Sequence, residues 1–189
     1  MDARVQVSYF AGMLPALLLA AFVSSALAAG DSIDVPNVRA LKLESKLWKE
    51  YGKLKDPMVP VIRASDLMKI LEDSNLVLID VRQASERKVS RLKHSMSTVE
   101  FAERFRKGIP KDKILVVYDT MGFRAAKYAR ELMAMGINPR NLEGGVLAWS
   151  HAGGEFFASD SSGNPARTWH VHVYDKERNF LHPDYKPTW

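Results

Sequence analysis

Asp119, Gly122 and Arg124 stand in a run suited to holding a negative charge. The stretch ILVVYDTMGFRAAKYARELMAMG, Ile114 to Gly136, is an apolar run, a short turn with a glycine and an arginine, and then a helical pattern. A strand that turns sharply into a helix aims backbone N–H groups at one spot, and the helix dipole adds positive potential there. Many enzymes place a reactive residue at the base of such a cradle. Here that residue is Asp119. A carboxylate there can act as a nucleophile, or it can fill the cradle with its own charge. Asp80 ends a second apolar run, LVLID, and is followed by Arg82 and Glu86. His170 and His172 flank Val171, so on a strand they share one face, as metal ligands could. His182 and Asp184 follow, but spacing positions no fourth ligand, and a polar face of a tail strand is the simpler reading. There is no serine elbow with a triad, no phosphate loop and no dinucleotide fingerprint.

Composition narrows the chemistry. The chain has 189 residues, 47% of them hydrophobic, enough for one domain with a full core. The formal net charge is +5, with cations and acids interleaved, so nucleic-acid binding is not expected. The chain has no cysteine. Disulfides, thiolate catalysis and cysteine-ligated metals are therefore excluded.

The elements that must position these residues follow from periodicity. Val38, Leu41, Leu47, Trp48, Tyr51 and Leu54 recur at helical spacing, with lysines on the other face, so 38–54 reads as an amphipathic helix. A short strand at 59–62 follows, then a helix capped by Ser65 and carrying Leu67, Met68, Ile70 and Leu71. The runs 76–80 and 114–118 read as strands buried on both faces. Ser85 to Arg91 reads as a helical turn. Helices are expected at 98–108, with Gly108 and Pro110 as stops, and at 123–135, ended by Gly136. Residues 141–149 read as strand, glycine turn and helix. Strands alternating with helices make the class α/β with a mostly parallel sheet, whose sites lie at the strand carboxyl ends. Residues 152–168 read as a loop, Trp169 to Tyr174 as a strand, and DKER as a turn into a short further strand.

The N-terminus reads as a targeting segment. Residues 5–30 carry no charge, the apolar centre runs from Leu14 to Val23, and Ala26-Leu27-Ala28 has the small-x-small form of a cleavage site. A secretory signal peptide over 1–29, cut after Ala28 or Ala29, is expected. An uncleaved signal anchor is the alternative. Either places the folded part outside the cytosol, whether secreted, periplasmic or organelle-lumenal.

Three motifs in order carry a family resemblance. LVLIDVRQASE (76–86), ILVVYDTMGFRAAKYARELMAMGI (114–137) and NLEGGVLAWSHAG (141–153) resemble the signatures of rhodanese-like domains over about 59–155. The resemblance implies a three-layer domain with a mostly parallel five-stranded sheet flanked by helices. It leaves 30–58 as a linker and helix and 156–189 as a C-terminal extension. The family moves sulfane sulfur through a cysteine persulfide, and the resemblance places that cysteine at Asp119. It implies a loop of Asp119, Thr120, Met121, Gly122, Phe123 and Arg124, supported by Asp80, Arg82 and Glu86. It also implies a glycine where His94 stands, so the rim at 90–97 departs from the pattern.

A carboxylate forms no persulfide. Aspartate nucleophiles of haloacid-dehalogenase-like phosphatases work with a second aspartate two residues on and magnesium, and position 121 is methionine. The better expectation is that Asp119 accepts hydrogen bonds from the loop amides, caps the following helix, has a lowered pKa and repels exogenous anions. Arg82 is expected to pair with Glu86 or with nearby strand ends. Arg124 should pair with Asp119 or a neighbouring acid, and Trp149 should pack in the core. Trp48, Tyr51, Trp169, Tyr174, Phe180, Tyr185 and Trp189 either pack on the domain or meet a partner. The resulting expectation is a non-catalytic domain without a cofactor that binds a protein through the 119–124 loop. The alternatives are hydrolytic chemistry, Asp119-based or metal-dependent, and a structural subunit of a larger complex. Membrane contact is expected only during export or through an uncleaved anchor.

Overall fold

The computed structural model describes residues 37–189; the expected signal peptide and the linker up to Pro36 lie outside the described residues. In chain order the elements are α1 (Val38–Leu54), β1 (Val61–Ile62), α2 (Ala64–Lys69), β2 (Leu76–Asp80), α3 (Ala84–Val89), β3 (Met96–Ser97), α4 (Thr98–Arg104), β4 (Ile114–Tyr118), α5 (Phe123–Ala134), β5 (Arg140–Leu142), α6 (Gly145–His151), β6 (Phe156–Ser159), β7 (Pro165–Thr168), β8 (His170–His172) and β9 (Lys186–Thr188). Five strands form one sheet in the order β1-β5-β4-β2-β3, and every pairing in it is parallel. The central pair runs in register from Leu76 opposite Ile114 to Asp80 opposite Tyr118. Strands buried on both faces need apolar residues on both, which is why 76–80 and 114–118 read as continuous apolar runs.

The alternation of side chains divides the core in two. Leu78, Val116, Tyr118 and Leu142 pack with α1, α2, α6 and the C-terminal segment through Leu47, Leu67, Trp149, Phe156, Val171 and Leu181. Val77, Ile79, Leu115 and Val117 pack with α4 and α5 through Phe101, Ala125, Ala129 and Leu132. Helices thus flank the parallel sheet in a three-layer α/β domain. Helix α1 is capped by Asn37, whose side-chain oxygen accepts from the amides of Arg39 at 3.0 Å and Ala40 at 3.4 Å. Trp149 is buried, and its indole N–H donates to the Glu155 carbonyl at 3.0 Å.

Three local expectations are corrected. Ser65 lies inside α2 and does not cap it; the helix starts at Ala64, after Arg63, with no side-chain cap. Residues 152–168 are not all loop, because β6 and β7 form an antiparallel hairpin. Its turn is held by the Asp160 carboxylate, which accepts from the Ser162 amide at 2.8 Å and the Asn164 amide at 2.9 Å, and Gly163 supplies a positive φ of 83°. DKER turns as expected, but no strand follows it directly; β8 pairs instead with β9, in parallel. The segment between them buries Phe180, Leu181 and Tyr185, so long-range packing sets where the chain returns to pair.

Leu47 sits in the main core with no exposed surface. Leu47→Ala should lower unfolding stability by about 3 kcal/mol within a single urea transition. A separate early transition for α1 would show that this helix is not part of the cooperative core.

Candidate functional site

The carboxyl ends of β2 and β4 carry two buried acids that meet different partners. Asp80 and Arg82 form a closed pair. The Arg82 amide and Nε each donate to Asp80 Oδ1 at 3.0 Å, and Nη2 donates to Oδ2 at 2.8 Å. Arg82 Nη2 also donates to the Ser90 carbonyl at 2.6 Å. The Tyr118 hydroxyl donates to Asp80 Oδ2 at 2.7 Å and accepts from the Leu92 amide at 3.1 Å. Arg82 therefore pairs with Asp80 rather than Glu86, because the two residues leave the strand side by side and share a fully desolvated spot. These bonds fasten the rim. Its His94 keeps a positive φ of 61°, so the left-handed turn survives without a glycine at a cost of about 1 kcal/mol.

The 119–124 loop is organised around its own carboxylate. Asp119 Oδ1 accepts from the Gly122 amide. Its Oδ2 accepts from the Arg124 amide at 3.1 Å and from Arg124 Nε at 3.3 Å. Gly122 has φ 101°, which turns its N–H inward, and its carbonyl accepts from Asn141 Nδ2 at 2.8 Å. Behind the loop, the first turn of α6 holds the main chain: the Val146 and Leu147 amides donate to the carbonyls of Asp119 and Thr120 at 3.0 and 3.2 Å. Gly145 is required there, since a Cβ would lie 2.3 Å from the Asp119 carbonyl oxygen.

Arg124 joins this loop to α3. Its Nη1 and Nη2 donate to the two oxygens of Glu86 at 2.7 Å each, a bidentate pair of the strong kind. Nη2 also donates to Thr120 Oγ1 at 3.3 Å, and the guanidinium carbon lies 4.9 Å from the centre of the Tyr174 ring. The second oxygen of Glu86 closes a capping box by accepting from the Gln83 amide at 2.8 Å. Two aromatics come from outside the three motifs. Tyr51 of α1 stands where a Cβ on Gly122 would meet it at 3.1 Å. Tyr174 comes from the C-terminal segment. Burial, with the Asp119 charge adding to it, pushes both hydroxyls up to about 12.

The loop presents little of itself. Asp119, Thr120, Met121 and Gly122 are buried, Arg124 is half-buried, and Phe123 is 53% exposed. The lowered Asp119 pKa expected from the loop amides is corrected. Burial raises it, and this outweighs the Arg124 charge and the amide bonds that lower it. Glu86 goes the other way. Burial would raise it, but the Arg124 bond, the Gln83 amide and the charges of Arg124 and Arg82 together hold it below the ordinary range. The histidines of the tail diverge. His172 Nδ1 lies 3.8 Å from Glu86, His170 is exposed, and His182 packs against His151 and lies near Asp184. Among the described residues no group of three or more histidines and acids is arranged to hold a metal ion, and no helix is long and apolar enough to cross a membrane.

Residues 63–152 match the family model described as Rhodanese-like domain, and the chain therefore carries a rhodanese-like domain. Solved structures are similar to parts of the chain. A rhodanese-related protein from Thermoplasma volcanium is 24% identical, with a TM-score of 0.44, over 51% of this chain and 96% of its own. A rhodanese-like domain protein from Staphylococcus aureus is 26% identical, with a TM-score of 0.42, over 48% of this chain and 91% of its own. A thiosulfate sulfurtransferase from Pseudomonas aeruginosa is 15% identical, with a TM-score of 0.48, over 74% of this chain and 25% of its own. No curated protein matches the chain.

The signs of the two shifts give opposite pH dependences. Glu86, lowered on folding, stabilises above its unfolded pKa near 4.3 and loses this as pH falls through its folded value. Asp119, raised on folding, favours the fold below its unfolded pKa near 3.9 and opposes it progressively as pH rises through its folded value. Glu86→Gln should cost about 3 kcal/mol at pH 7 and much less at acid pH, measured by urea unfolding across pH. The stability of the wild type relative to Asp119→Asn should instead fall as pH rises. The same slope in both variants would contradict these assignments.

Proposed function

We propose that this is a non-catalytic rhodanese-like protein with a protein-binding or scaffolding role outside the cytosol. One observation carries the reading. The residue at the position of the family's persulfide-forming cysteine is Asp119, and its carboxylate takes up the loop amides and Arg124. The chain has no thiol to offer in its place. The uncharged stretch at 5–30 supports export, by a cleaved signal peptide or a retained anchor. The recognition surface narrows to Phe123, the half-buried Arg124 and the exposed His94 of the rim, because the first four loop residues, Ser90 and Leu92 are buried. Exposed aromatics serve well as interface anchors.

Hydrolytic chemistry at Asp119 is the lesser reading. Its carboxylate is tied to three donors and covered, which weakens it as a nucleophile.

The test is a thiosulfate sulfurtransferase assay on the full chain beside Asp119→Cys. The parent is expected to show no turnover. The variant restores a thiolate to amides and an arginine that remain in place, and it should gain turnover. Turnover by the parent contradicts the proposal. Silence in both would shift the obstacle from the nucleophile to access past Tyr51 and Tyr174.

A further inference from the structure

Helix α1 has a second face that the fold uses only at Trp48, whose ring edge lies where a Cβ on Gly144 would meet it at 3.4 Å. Ala40, Leu47 and Tyr51 point into the core, and the opposite half of the 17-residue helix faces outward. Val38, Leu41 and Trp48 form a stripe there, 58, 44 and 39% exposed, with Ser45 and Gly52 completing it. Beside the stripe stand Arg39, Lys42, Lys46, Lys49 and Lys53, all exposed. At about 100° per residue these five cations share one uninterrupted arc of about 80°. The two acids of the helix lie outside that arc, on the flanks nearer the core. Glu44 accepts from the Trp48 indole at 3.4 Å, and Glu50 pairs with Lys53 at 2.7 Å. Among the described residues Arg39, Lys42, Lys46 and Lys49 make no ion pair.

We propose that α1 docks the domain on an anionic lipid bilayer surface. Val38, Leu41 and Trp48 enter the boundary between headgroups and acyl chains, and the cation arc takes the lipid phosphates. Two features select this occupant. An apolar stripe running alongside a cation arc matches a surface that is negative on the outside and apolar just beneath. A polypeptide of acidic residues alone would satisfy the lysines but leave Val38 and Leu41 in water. Docking costs the fold nothing, since Leu47 and Tyr51 stay in the core on the far side. It is also distinct from anything residues 5–30 do by spanning or export, because it depends on lipid charge.

The test is sedimentation of the full chain with vesicles of phosphatidylcholine alone and of phosphatidylcholine mixed with phosphatidylglycerol. Binding should favour the anionic vesicles, weaken with salt, and fall about 100-fold in Lys42→Glu/Lys46→Glu/Lys49→Glu, at roughly fivefold per cation. The substitutions lie on the exposed face, so an unchanged melting temperature is expected. Brominated lipids should quench tryptophan fluorescence, and Trp48→Phe should remove that quenching; this holds even if residues 5–30 anchor the chain. Equal binding to both vesicle types with the charge variant unaffected and no Trp48 quenching would overturn the proposal. So would binding to polyglutamate but not to anionic vesicles, or no binding at all.

Discussion

A buried negative charge must be met from all sides, and the strand-end region is arranged around that constraint. The carboxylate of Asp119 is fully buried, and its oxygens are met by the Gly122 and Arg124 amides and by Arg124 Nε. Each donor imposes something further. The Gly122 amide can turn inward only because that residue adopts a left-handed conformation. The Arg124 guanidinium would itself be costly to bury, and the bidentate bond to Glu86 is what makes it tolerable. Glu86 in turn fixes the start of α3. One charge thereby couples the β4 loop, α5 and α3.

The same constraint gives the flanking segments a role. Tyr51 and Tyr174 sit over the loop with their aromatic faces and edges. They exclude water from Asp119, which strengthens its bonds and raises its pKa together. A site that must bind exogenous anions needs free amides and an entry path. This one is filled by its own side chain and shielded by two rings. Phe123 at the loop's end and the outer face of α1 are among the exposed groups.

Much of this was legible in the sequence, and the exceptions have physical causes. The central strands and α5 could be read because LVLID and ILVVY are continuous apolar runs and 123–134 has a strong helical period. The cradle could be read because Asp119, Gly122 and Arg124 lie within one turn. The Arg124–Glu86 pair joins residues 38 apart in sequence, and no local pattern reports it. The hairpin at 156–168 was hidden because its turn chemistry is dense and its strands are short. The β8–β9 pairing depends on a return of the chain that only packing of Phe180, Leu181 and Tyr185 explains. The direction of the Asp119 shift is not legible for one reason: loop amides can be inferred from sequence, whereas depth of burial cannot.

The central claim is that Asp119 occupies the cradle with its own charge. The most direct measurement is an amide-resolved NMR titration with thiosulfate, comparing the wild type with Asp119→Ala. The account predicts that the Gly122 and Arg124 amides of the wild type stay unmoved while those of the variant shift and saturate. Anion binding by the wild type as tight as, or tighter than, that of the variant would contradict it.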